Sequence, residues 1–498
     1  MGPRSNPSMA VIAMVALAFS IVLGPRSSLV MANQLADHDR ITSLPNQPMT
    51  TTNFKQFGGY VTVNEKEGRA LFYYFVEAES MASSKPLVLW FNGDTLAGCS
   101  SLGGGALLEH GPFKINGEVL IKNHYSWNTE ANMLYVESPA GVGFSYSKNK
   151  SFYSNITDAI SVEDNFMFLQ RWLEKFPQYK KRDLYIAGEA YAGGHFVPLL
   201  AQLIVNSNLK LKLKGIAVRL ELFGLQIGNP LLDIQVDANA LSQYWWSHAL
   251  ISDAAFNLLT SVCNASRLVT EGITNSLSRD CISVATNVSK ELSPAIDYFD
   301  VAAGDACPSA NASLFGDLNR TDPLRFTLLQ TFIYGQSGQK DRDPCAGDTV
   351  AKYLNRHDVQ KALHAKLIGF STWRICRFRK EWKYNLRNRL VPTIGVVGAL
   401  VKSKIRVLVY SGDQDSALPF SGTRTLVNSL ANSMNLCPTV RYRPWFSDKK
   451  VGGWTEEYGK YLSYAIVRGA SQKTAQTQPK RSLLLFKSFL AGKPLPEA

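Results

Sequence analysis

Six residues, Gly188-Glu189-Ala190-Tyr191-Ala192-Gly193, constrain this chain most. They follow an apolar strand-like run, Leu184-Tyr185-Ile186-Ala187, and precede a helix-like run, Pro198-Leu199-Leu200-Ala201-Gln202-Leu203-Ile204. A strand that turns sharply into a helix lifts one side chain above a sheet, the geometry of a nucleophile elbow. The residue in that position is Ala190. A methyl group cannot attack a carbonyl.

The rest of the chain supplies a sheet for such an elbow. The continuous apolar runs Leu87–Phe91 and Met133–Val136 read as buried parallel strands, with further strand candidates at Tyr60–Val63, Ala70–Val76 and Ile405–Tyr410. Phe166, Leu169, Trp172, Leu173 and Phe176 recur at helical spacing and form a core face that Pro177 ends. Strands alternating with helices predict a parallel sheet covered on both sides.

Longer motifs add detail. They are Gly98-Cys99-Ser100-Ser101-Leu102-Gly103-Gly104-Gly105, Glu109-His110-Gly111-Pro112, the run Val136 to Ser147 (VESPAGVGFSYS), Ser411-Gly412-Asp413-Gln414-Asp415 and Val451-Gly452-Gly453-Trp454. With these motifs, in this order, the chain from about Pro45 to its C-terminus resembles the serine carboxypeptidases, close to the plant members. The resemblance implies an α/β-hydrolase fold, with a mostly parallel central sheet, helices on both faces and a mostly helical cap insertion. After a signal peptide (1–32), it divides the chain into a first core part (33–239), the cap (240–370) and a second core part (371–498).

The same resemblance implies site residues, and three of them depart from the pattern. Ala190 stands where the family has its nucleophilic serine. Asp415 maps to the acid. Gln472, in Gly469-Ala470-Ser471-Gln472, stands where the family has its histidine, and no histidine follows His364. An amide side chain has no titratable nitrogen and cannot act as a base. Ser100 and Ser101 offer hydroxyls, but without a base to activate them. The oxyanion donors map to the backbone N–H groups of Asp94 and Tyr191. Asp94 replaces a glycine within an enlarged loop, Asp94-Thr95-Leu96-Ala97, and a carboxylate there repels a developing oxyanion. Gly194 is one residue more than the pattern carries before His195. The runs Gly215–Pro230 and Arg374–Lys383 are also longer than the pattern.

Asn92, Glu109 and Glu189 retain the family positions that bind the C-terminal carboxylate of a peptide. Two acidic side chains can face an anion only if one carboxyl is protonated and donates, which favours acidic pH. The implied ligand is a peptide or a small acyl compound. No pattern calls for a metal or another cofactor, and no nucleic-acid motif is present. A homodimer is compatible with the sequence.

Arg4, the apolar run Met9–Leu23 and the small-residue ending Val30-Met31-Ala32 form a signal-peptide pattern, and no second run is long enough to span a membrane. Acceptor sequons occur at Asn149, Asn155, Asn264, Asn287, Asn311 and Asn319. The expected location is the secretory pathway, ending outside the cell or in the vacuole. Sequence alone leaves the pairing of the cysteines open. The resemblance implies Cys99–Cys376, Cys263–Cys281 and Cys307–Cys345, leaving Cys437, which is expected to be a buried free thiol. Much of the net charge of +13 sits in Arg374, Arg377, Arg379, Lys380, Lys383, Arg387 and Arg389. This stretch is expected to be a solvated basic face, anchored by Trp373, Phe378, Trp382 and Tyr384.

Three readings compete: a non-catalytic homologue that retains recognition, an active carboxypeptidase or acyltransferase whose substitutions are gene-model errors, and a structural or non-functional glycoprotein. Ala190 and Gln472 weigh against the second, and Asn92, Glu109 and Glu189 favour the first over the third.

Overall fold

The computed structural model describes residues 36–48, 53–93, 98–207, 222–228, 230–293, 296–302, 346–377 and 382–498. The strands, in chain order, are β1 (Arg40–Ile41), β2 (Gln56–Asn64), β3 (Arg69–Val76), β4 (Leu87–Phe91), β5 (Phe113–Asn116), β6 (Val119–Lys122), β7 (Asn132–Val136), β8 (Tyr146–Ser147), β9 (Leu184–Glu189), β10 (Leu222–Gly228), β11 (Val407–Gly412), β12 (Pro438–Ser447), β13 (Lys450–Tyr458) and β14 (Leu462–Val467). All but the β5–β6 hairpin join one sheet in the order β1-β2-β3-β7-β4-β9-β10-β11-β14-β13-β12, with β8 on β3. The six central strands, β7 to β14 in that order, pair parallel, and the outer pairs are antiparallel.

The apolar runs are buried because both faces of the sheet are covered. In β4, Leu87, Leu89 and Phe91 enter one core while Val88 and Trp90 enter the other. β3 divides in the same way, with Leu71, Tyr73 and Phe75 opposite Phe72, Tyr74 and Val76. That alternation is the strand period of two with no solvent face. The helix Asp158–Lys175 packs on the first face through Phe168, Leu169, Trp172 and Leu173. Thr157 Oγ1 caps it by accepting the Ile160 N–H at 3.3 Å, and Pro177 follows its end. The fold is that of an α/β-hydrolase.

The helices Ile234–Ser247, Asp253–Ser261, Ala265–Thr274 and Arg279–Glu291 build a smaller core of their own around the Cys263–Cys281 disulfide. The helix Ala346–Leu354, also within 240–370, packs instead on the main sheet through Val350, Tyr353 and Leu354. Cys99 and Cys376 are bonded, whereas Cys307, Cys345, Asn311 and Asn319 lie outside the described residues. Asn149, Asn155, Asn264 and Asn287 are exposed.

Two expectations fail. Cys437 is exposed, not buried. It sits where a left-handed residue, Asn435, ends a helix and the chain enters the edge strand β12. The basic stretch is also not one solvated face. Lys383 and Arg387 are exposed and Trp373, Trp382 and Tyr384 anchor it, but Arg377 and Arg389 are buried. Arg377 donates to the carbonyls of Gly141 (3.0 Å) and Thr372 (3.2 Å) and lies 3.8 Å from the Phe370 ring centre. Carbonyl acceptors and an aromatic face replace the water that a buried guanidinium loses. Phe378, Arg379 and Lys380 fall outside the described residues.

Candidate functional site

The C-terminal ends of the parallel strands carry the residues singled out by sequence. Glu189 ends β9, and Ala190 makes the turn with φ 50°. A left-handed alanine costs about 1–2 kcal/mol, so the surrounding structure must hold it. The strand register sets Glu189 beside Gly228, and the Ala190 carbonyl accepts the Leu231 N–H at 3.3 Å. From the other side Gly93 presses on the turn, where an added Cβ would lie 2.2 Å from the Ala192 nitrogen. The strained shape of an elbow therefore persists around a residue that cannot attack.

After the turn comes a π-helical segment, Ala192–Phe196, and then the helix Val197–Asn206. A π turn is how a helix accommodates one extra residue. The additional glycine, Gly194, lies within it, and a Cβ there would come within 1.9 Å of the Leu231 carbonyl oxygen. Tyr191 is buried. Its hydroxyl donates to Asp158 Oδ1 at 2.7 Å, and its ring stacks on His195 with centroids 4.2 Å apart. Asp158 Oδ2 also takes His195 Nδ1 at 2.8 Å.

Asp415 and Gln472 follow β11 and β14, which pair in parallel two and three places beyond β9. Asp415 is buried, its Oδ1 accepting the N–H groups of Ala417 (2.8 Å) and Leu418 (3.2 Å). The two loops are tied together. Gln414 N–H donates to the Ala470 carbonyl at 2.9 Å, and Gly469 N–H to Asp413 Oδ1 at 2.6 Å. Gln472 is buried, its N–H donating to the Phe299 carbonyl at 3.0 Å, while its side-chain Nε2 has no hydrogen-bond partner among the described residues. Asp94, with the loop Thr95-Leu96-Ala97, lies outside the described residues.

The three residues assigned to carboxylate binding do converge. Asn92 follows β4, Glu189 ends β9 beside it, and Glu109 ends the π-helical segment Leu102–Glu109. Asn92 Nδ2 donates to Glu109 Oε1 at 3.1 Å and to Glu189 Oε1 at 2.6 Å. Its Oδ1 is held by Gly105 N–H at 3.0 Å and by the Trp90 indole N–H. One amide, oriented from behind, therefore bridges two buried carboxyls. Burial raises the Glu109 carboxyl above its ordinary range, and burial followed by the Glu109 charge raises Glu189 well above it. Two carboxyls this close in a dry site share a proton.

Sequence reasoning missed three neighbours. The Lys473 charge and the Tyr410 phenol both act on the two carboxyls electrostatically. The readable signal for Lys473 was its position directly after the departing Gln472. The third is Glu137, fully buried, with Ser100 Oγ donating to Oε1 and Phe144 N–H to Oε2 at 2.5 Å. Burial pushes its carboxyl up to about 7. Ser100 thus has a carboxyl partner, contrary to expectation, but both groups are sealed from solvent. Among the described residues no group of His, Cys, Asp and Glu could hold a metal ion.

Comparison with known proteins agrees with this architecture. The family model described as serine carboxypeptidase matches residues 45–492. Serine carboxypeptidase-like 45 of Arabidopsis thaliana is 48% identical over 97% of this chain and 98% of its own length. Serine carboxypeptidase-like 46 of the same plant is 47% identical over 96% and 97%. A crystal structure of a prohormone-processing carboxypeptidase from Saccharomyces cerevisiae superimposes with a TM-score of 0.71 at 19% identity, covering 91% of this chain and 96% of that one, which bears on the fold alone. The chain belongs to the serine carboxypeptidase family.

Proposed function

We propose that this chain is a serine carboxypeptidase-like glycoprotein of the secretory pathway, catalytically silent, that retains recognition of C-terminal carboxylates. The observation that carries the reading is the contrast within one strand end. Ala190 and Gln472 lack the atoms for nucleophilic attack and proton transfer. A few ångströms of chain away, Asn92 still bridges Glu109 and Glu189. A decaying scaffold has no reason to keep two desolvated carboxyls together, since replacing such a pair by apolar residues is often stabilising. A location outside the cell or in the vacuole is supported by the N-terminal signal pattern and by the exposed sequons. No described helix is long and apolar enough to cross a membrane.

The ligand is a peptide or acyl-amino compound with a free carboxylate. A protonated member of the Glu109/Glu189 pair donates to it, together with the Asn92 amide. Calorimetry at acidic pH with an N-blocked dipeptide acid and its C-terminal amide tests this. The acid is expected to bind at least about tenfold tighter, the order of one charge-assisted hydrogen bond. Equal binding of acid and amide removes the carboxylate site from the account.

A further inference from the structure

Charge in this chain follows the direction of the strands. Glu189, Asp413 and Asp415 stand at the C-terminal ends of β9 and β11. The connections that enter the N-terminal ends of β9, β11 and β14 carry Lys180, Lys181, Arg182, Lys402, Lys404 and Lys460 instead. β9, β10, β11 and β14 are consecutive and parallel, so these connections share the end of the sheet opposite the carboxylate site. Three strand spacings spread them over about 15 Å. Val407 N–H donates to the Tyr461 carbonyl at 2.7 Å, which sets Lys460 beside the 402–406 connection.

Lys181, Lys402, Lys404 and Lys460 are exposed, Lys180 and Arg182 are half-buried, and none of them forms an ion pair among the described residues. Acids at the same end are engaged elsewhere. Glu130 pairs with Lys85 at 3.7 Å and Lys487 at 3.2 Å, and Glu77 accepts from the Tyr179 hydroxyl at 2.9 Å. Asp183, exposed, and Glu456 and Glu457, half-buried on β13, are the opposing charges. A cation at a helix C-terminus complements the helix dipole, and that accounts for Lys402 at the end of the helix Ile394–Lys402. The others lie outside the last turns of the α-helices, where that effect has faded. The same connections expose no aromatic ring: Phe176 and Tyr179 are buried and Tyr461 is half-buried. Single-stranded nucleic acid stacks its bases on such rings, and a membrane surface takes exposed Trp, Phe or Leu.

We propose that this basic end of the sheet binds acidic polysaccharide, a polymer that repeats carboxylates along a hydrophilic chain. Unpaired cations spread over several strands match repeated charge better than they match one small anion. A polymer held there leaves the opposite end of the sheet open, so the protein can be fixed to a matrix while its carboxylate site faces away. The inference uses the location outside the cell proposed above and does not depend on the carboxylate site. Attraction between exposed charges of this kind is screened by salt, with a screening length of about 10 Å at 0.1 M.

The test is binding of the purified protein to immobilised polygalacturonate, to its uncharged methyl ester and to phosphatidylserine vesicles, at about 0.05 and 0.2 M salt. One variant combines Lys181→Gln, Lys402→Gln, Lys404→Gln and Lys460→Gln. A control loses the same charge from exposed lysines on other surfaces, through Lys66→Gln, Lys150→Gln, Lys290→Gln and Lys361→Gln. Both are checked for an unchanged thermal transition. Wild type is expected to bind polygalacturonate and not the ester, and to weaken at least about tenfold between the two salt concentrations. The first variant should lose at least about tenfold at the lower salt and the control less than about threefold. Equal losses in the two variants would assign the binding to net charge and overturn the site. Absence of wild-type binding, or equal binding to the ester, overturns it as well. Tighter binding to the vesicles than to the polymer would replace the polysaccharide by a membrane surface and overturn the proposal.

Discussion

Replacing Glu137 by Gln should flatten the pH dependence of stability. Glu137 lies fully buried at the end of β7, with one oxygen bonded to Ser100 Oγ and the other to Phe144 N–H. Burial raises its carboxyl from 4.5 to about 7, against the opposing pull of Ser100, Phe144 and Arg377. The folded protein thus keeps a proton that the unfolded chain releases. Below about pH 4.5 both states hold it and the full stability is present; between 4.5 and 7 only the native state does, and stability falls; above 7 the loss is complete. A shift of this size corresponds to about 3 kcal/mol, at about 1.4 kcal/mol per unit. Asp237, raised to about 7 mainly by burial, adds a loss of the same sign over the same window. The Gln side chain keeps the shape and does not titrate. Urea unfolding at about pH 5 and pH 8 should give wild type a large drop and Glu137→Gln a drop smaller by about 3 kcal/mol, with the variant more stable than wild type at pH 8. Equal drops in the two proteins would refute the reasoning.

Other outcomes follow from the elbow. Ala190→Gly should raise stability by about 1 kcal/mol, because glycine adopts the left-handed turn without strain; destabilisation in the same urea titration would mean the turn is not strained. The double reversion Ala190→Ser with Gln472→His, which places the imidazole on a loop already tied to that of Asp415, should recover little peptidase activity. Replacing Asp94-Thr95-Leu96-Ala97 by Gly-Pro on that background should add about 10²-fold in turnover. Near-family turnover from the double reversion alone would show that this loop is harmless.

What the sequence made legible was whatever a continuous apolar run or a long motif encodes. Leu87–Phe91 and Met133–Val136 could only be strands buried on both faces, and they are. The Asn92, Glu109 and Glu189 cluster was legible through the motifs that hold it. β12 was not singled out, because an edge strand carrying Arg441, Arg443 and Pro444 is largely exposed and lacks the apolar run of a central strand. β10 lies inside Gly215–Pro230, where an insertion was more visible than a strand. Charge alone cannot report burial, so Arg377 read as surface until its acceptors in Gly141 and Thr372 and the ring of Phe370 were placed around it. Glu137 stood in plain view within a motif. Only the tertiary contacts made by Ser100 and Phe144 distinguish a sealed, proton-holding carboxyl from a surface one.

The central claim is recognition without catalysis, and turnover tests it most directly. The purified protein is incubated at about pH 5 with the N-blocked dipeptide acid, at a concentration that calorimetry shows to be saturating, and release of the C-terminal amino acid is measured. Loss of nucleophile or base in a triad lowers turnover by about 10⁶. The account predicts no release above the buffer blank from a protein that demonstrably holds the peptide. Release at rates within about a hundredfold of the 1–10³ per second typical of enzymes, from protein whose mass confirms Ala190 and Gln472, would contradict it.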